Sequence, residues 1–163
     1  MITNYRSNFL RLANSLLDDG DSVRANEVVA YAMKQIPEST IPMDLSADYL
    51  LTELFKRMHK DKEVVSLLEK THTSIQQYLT YYSAEGRTMD RSDYDRKLEL
   101  LKYVFQEYLR LRDYDKAEKI ADELFSFTRE DQYQKAVARY KKRDEMMDSL
   151  KLNTDTAPDS PKK

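Results

Sequence analysis

The chain has 163 residues, 34% of them charged, with a formal net charge of -2 and a mean hydropathy of -0.78. That balance gives no excess of cations to draw nucleic acid or an anionic membrane, and no apolar run approaches the roughly 20 residues a membrane-spanning helix needs. Cysteine is absent, which excludes disulfides, thiolate zinc sites and cysteine nucleophiles.

A content of 2 Gly and 4 Pro favours long helices over a turn-rich β fold. Residues 4–18 are expected as the first helix, with Phe9, Leu12, Ala13 and Leu16 on one face. Asn4, Arg6, Asn8 and Arg11 interrupt any signal-peptide apolar core there. Gly20 supplies a left-handed residue to close that helix, and Asp21 or Ser22 caps the next, over 22–36. Its inner face is Val28, Val29, Ala32 and Ile36, and Pro37 ends it.

After a connector bounded by Pro37 and Pro42, Asp44 caps a third helix carrying Leu50, Leu51, Leu54 and Phe55. A turn at His59 to Lys62 leads to a long fourth helix, 62–83, with Val64, Leu67, Leu68, Ile75 and Leu79. Glu85 to Asp90, with Gly86, is the next break. The fifth helix, 91–111, carries Leu98, Leu101, Val104, Phe105 and Tyr108. A turn at Arg112 and Asp113 opens the sixth, with Ala117, Ile120, Ala121, Leu124 and Phe125. Thr128 with Asp131 resembles a capping box for a polar seventh helix, 129–150, expected to cap the stack. The domain is expected to span 1–150, and 151–163 to form a disordered tail.

The small or apolar residue after each turn aligns Ala25, Val64 and Ala117, and the preceding helix aligns Leu16, Phe55 and Tyr108. The intervals are 39 and 53 residues (25 to 64, 64 to 117). In the first 37 residues, Phe9, Leu12, Ala13, Leu16, Gly20, Ala25, Val29, Ala32 and Pro37 follow the spacing of a tetratricopeptide (TPR) unit, an antiparallel helix pair that hides its apolar face on a neighbour. The fold expected is therefore all-α: a TPR-like right-handed superhelix of about three helix pairs plus a C-terminal capping helix.

Chemistry is poorly represented. His59 and His72 are 13 residues apart without converging ligands (59 to 72), and the Asp18, Asp19, Asp21 run lacks the ligand spacing of a calcium loop. Phosphate loops and nucleophile elbows are absent. No catalytic residue, metal or cofactor is expected. The basic stretch Arg139, Lys141, Lys142, Arg143 has the charge to touch phosphates, but it runs straight into Asp144 and Glu145, which favours a solvated outer face. The 12 tyrosines suit both interhelix packing and binding surfaces. Since the first helix of each TPR pair lines the concave face, the groove candidates are Leu10, Asn14 and Leu17, then Tyr49, Glu53 and Lys56, then Lys102, Gln106 and Arg110. Their mixture of amide, aromatic and both charge signs fits a protein or peptide partner.

Tyr5-Arg6-Ser7-Asn8-Phe9-Leu10-Arg11-Leu12-Ala13, Asp19-Gly20-Asp21, Arg24-Ala25, Ile36-Pro37 and Ile41-Pro42-Met43-Asp44 carry a further likeness, together with the Tyr78 to Tyr82 segment. Over residues 5–125 the chain resembles the soluble C-terminal region of bacterial polytopic membrane proteins similar to protein O-mannosyltransferases. The resemblance implies a non-catalytic accessory domain tethered to the inner membrane on its periplasmic side. Its partner would be a protein, a peptide or the membrane part of a parent chain, whose catalytic acids lie outside this chain. The alternative is a free-standing cytoplasmic adaptor or scaffold.

Overall fold

The computed structural model describes residues 3–84 and 90–155, with side chains over 5–82 and 90–150. Among these residues all regular structure is helical: α1 (Thr3–Asp18), α2 (Ser22–Gln35), α3 (Leu45–Arg57), α4 (Asp61–Ala84), α5 (Arg91–Arg110), α6 (Tyr114–Thr128) and α7 (Gln132–Asp155). The break expected at Glu85 to Asp90 falls outside the described residues except for Asp90, which caps α5 by accepting from the Ser92 amide. The chain, for which one domain over 1–150 is expected from sequence, groups into two compact units, Met1–Thr80 and Tyr81–Lys163.

Three turns close identically. The Gly20 amide donates to the Leu17 carbonyl at 3.1 Å, and the Asp21 amide to Leu16 at 2.8 Å. His59 and Lys60 repeat this to Lys56 and Phe55, at 3.0 and 2.9 Å. Arg112 and Asp113 repeat it to Leu109 and Tyr108, at 3.2 and 3.0 Å. Each is a Schellman closure, in which a left-handed residue lets two successive amides reach back to the last carbonyls of a helix. The left-handed residues are Gly20, His59 and Arg112, at φ 80, 55 and 59. Four residues into each following segment, Ala25, Val64 and Ala117 donate back to Asp21, Lys60 and Asp113. All three side chains are fully buried. The alignment drawn from sequence therefore holds at the level of individual hydrogen bonds.

In the first unit α1 packs antiparallel on α2 and also on α3. Leu51 and Leu54 of α3 share one core with Leu10 and Ala13 of α1, Ala25 and Val29 of α2, and Leu67 of α4. In the second unit α6 packs against both α5 and α7. Leu101, Val104, Phe105 and Tyr108 meet Ala117, Ile120, Ala121, Leu124 and Val137 as its buried side chains, and Phe105 meets the Tyr133 ring edge-on at 5.5 Å.

Three local expectations change. The buried stripe of α1 is Arg6, Leu10 and Ala13, while Leu12 is 49% exposed. Arg6 is buried because its guanidinium donates to the Ile36 and Ile41 carbonyls at 2.8 and 2.7 Å, which rotates the helix toward Leu10. Thr128 does not start α7: it ends α6, its hydroxyl donating to the Leu124 carbonyl, and left-handed Arg129 follows. Helix α7 runs on to Asp155, so 151–155 of the expected tail are helical, and 156–163 lie outside the described residues.

Candidate functional site

The nine groove candidates have different fates. Leu10 is completely buried in the core of the first unit, so it presents no surface to a partner and the expectation for it is corrected. Leu17 is half-buried against the same core. Asn14 accepts from Arg57 at 2.7 Å, beside the Arg57–Asp18 ion pair, also 2.7 Å, so its amide helps join α1 to α3. On α3, Tyr49 is 44% exposed, and Glu53 and Lys56 form an ion pair at 2.9 Å.

On α5, Lys102 pairs with Glu99 at 2.6 Å, and that carboxylate holds its ammonium above the ordinary lysine value. Gln106 and Arg110 are the two candidates brought together at a cavity. It has a volume of about 410 Å³ and lies between α5 and α7. Leu109, Arg112, Tyr140 and Arg143 complete its walls with Asp144.

Helical periodicity builds this cleft. Gln106 and Arg110 are one turn apart on α5, and Tyr140 and Asp144 one turn apart on α7. Asp144 is its electrostatic centre. It accepts from Arg112 Nε at 2.6 Å, from Arg143 at 3.1 Å and from the Tyr114 hydroxyl. The Arg112 bond, then Tyr114, hold the Asp144 carboxyl well below the usual carboxylate range. Arg112 is raised in turn, chiefly by Asp144 and then by Asp148 at 3.3 Å. Burial, and then Asp144, push the Tyr114 phenol up. Arg110 pairs with Glu107 at 2.7 Å, and the Arg143 guanidinium lies 4.4 Å from the centre of the Tyr140 ring. The cleft thus displays three guanidiniums beside Leu109 and Tyr140, each oriented by a partner.

From sequence, α7 reads as a polar cap and Arg143 and Asp144 as a solvated face, and neither Arg112 nor Tyr140 is singled out for the site. The signal was the helical period inside the basic run. Lys141 and Asp144 face inward, with Lys141 pairing with Glu118 of α6 at 2.5 Å and Asp144 buried. Arg139 and Lys142 fall on the opposite side and are exposed.

Elsewhere, Asp48 is buried at the start of α3, where Lys70 reaches it at 2.9 Å and also pairs with Glu38. Burial pushes the Asp48 carboxyl up beyond the opposing pull of Lys70. Among the described residues no three metal-ligating side chains converge, and no helix is long and apolar enough to cross a membrane. No family model, curated protein or solved structure matches the chain.

Proposed function

We propose that this chain is a non-catalytic protein- or peptide-binding module built from TPR-like helix pairs. The observation that carries the reading is the Schellman closure repeated at Gly20, His59 and Arg112, with a buried small or apolar residue at the same place after each. Repeated helix pairs exist to stack and to offer an extended face, and their usual work is recognition. The cleft between α5 and α7 gives the second unit a concavity with oriented arginines and a tyrosine, residue types enriched where proteins bind proteins.

The parent is proposed to be a membrane glycosyltransferase-like protein, on the likeness of Tyr5 to Ala13, Asp19 to Asp21 and Ile36 to Asp44. An upstream reading frame continuous with this one and encoding apolar helices supports that parent, while a closed frame favours the free-standing adaptor. The binding function is tested by panning a displayed random-peptide library on the whole chain. Enriched peptides that bind in solution and are lost on urea unfolding are expected. A library that yields no binder overturns the module.

A further inference from the structure

The cleft does not end at its rim. Arg143 also borders a shallow depression on the outer side of α7, whose other walls are Ala138, Arg139, Lys142 and Met146. One guanidinium is thus shared by two adjoining concavities of the second unit. Together their walls carry five cations, Arg110, Arg112, Arg139, Lys142 and Arg143, against one carboxylate, Asp144. That carboxylate is already occupied by Arg112, Arg143 and Tyr114. Arg139 and Lys142 have no ion-pair partner among the described residues. The chain as a whole is net negative at -2, so this band is a local reversal of its charge.

We infer that the band from the α5–α7 cleft across Arg143 to the outer face of α7 binds an acidic peptide segment with interspersed apolar residues. The inference rests on the binding-module reading and names its partner. Carboxylates answer the cations, and guanidiniums receive them bidentately. Tyr140 in the cleft and Met146, 57% exposed, beyond it offer apolar contact between the charges. A nucleic-acid backbone has no apolar side chains for those positions. A bilayer surface reaches the outer side of α7 but not the recessed cleft, where Leu109 and Asp144 are 7% and 9% exposed.

Two variants test it. Arg139→Gln with Lys142→Gln removes cations that hold no internal ion pair, so the fold is retained. Arg110→Gln removes one from the cleft. The probe is a fluorescein-labelled peptide of alternating Glu and Leu, read by anisotropy, beside a Lys and Leu peptide, an RNA oligomer and phosphatidylglycerol vesicles. The acidic peptide is expected to bind best, to weaken as salt rises, and to lose about tenfold in affinity in the double variant at unchanged helical signal. Library binders that are not acidic, or acidic ones indifferent to both variants, overturn this inference and leave the module standing. Stronger binding of the RNA or the vesicles than of the acidic peptide also overturns it. A library without binders removes both readings.

Discussion

Arg112 Nε donates to Asp144 at 2.6 Å, and the pair ties the turn between α5 and α6 to the middle of α7. The Asp144 carboxyl is depressed chiefly by this bond. A depressed carboxyl contributes stability above its unfolded value, about 4, which is lost as pH falls through the folded one. The sign at Asp48 in the first unit is opposite. Its raised carboxyl costs stability as pH rises from the unfolded value through the folded one, and the cost disappears on acidification. Acid unfolding is therefore expected to start in the second unit. Hydrogen exchange below about pH 4 should show α7 amides losing protection before those of α3. Asp144→Asn should lower the melting temperature at neutral pH and narrow its gap from wild type as pH drops. A gap that widens on acidification would contradict this.

Ala25 and Ala117 are both fully buried at equivalent points of their helix pairs. Arginine at either position overpacks the helix contact and buries a charge, which should cost on the order of 3 kcal/mol or more. Ala25→Ser should be mild. Urea unfolding that leaves Ala25→Arg as stable as wild type would reject the pairing.

The left-handed residues of the closures can be exchanged. A Cβ at Gly20 would meet no atom within 4 Å, so Gly20→Ala pays only for its φ of 80. That cost is about 1 kcal/mol. His59 adopts φ 55 with a side chain present, and His59→Gly should gain up to about 1 kcal/mol. Thermal melts check both, and a stabilising Gly20→Ala would be the contrary result.

Arg6 fastens the Pro37 to Pro42 connector to α1 through the Ile36 and Ile41 carbonyls. Arg6→Met keeps much of the volume and abandons the two acceptors, a loss of about 1–3 kcal/mol for each one left dry. Arg6→Ala adds a void and should be worse. Proteolysis within 38–41 should quicken in both variants, and an unchanged cleavage rate would mean the connector is held by other contacts.

Much of this was legible in the sequence. Leu16, Phe55 and Tyr108 align because each supplies the carbonyl that receives the second amide of its closure. Asp21 and Asp44 were readable as caps because a carboxylate three residues before an orphan amide has few better uses, while Asp113, read only as a turn residue, caps α6 in the same way. The register of α1 was not legible. Phe9, Leu12 and Leu16 form one apolar stripe, and Leu10, Ala13 and Leu17 an overlapping one. What decides between them is Arg6, which hydropathy places outside and two carbonyls hold inside. The cleft escaped for a related reason. Its α7 wall is charged, and the pairings of Arg112 with Asp144, 32 residues apart, and of Lys141 with Glu118 show which charges turn inward.

The closure shared by the three helix pairs has a consequence for how such a chain can change. Its left-handed position is a glycine, a histidine and an arginine in turn, so the joint is specified by amides and carbonyls that every residue here possesses. Segments cut within these joints present matching ends. The chain is thus open to recombination, and a hybrid spliced from Asp18 into Met58 keeps His59 in the left-handed position and should inherit a properly formed corner without any redesign of its side chains.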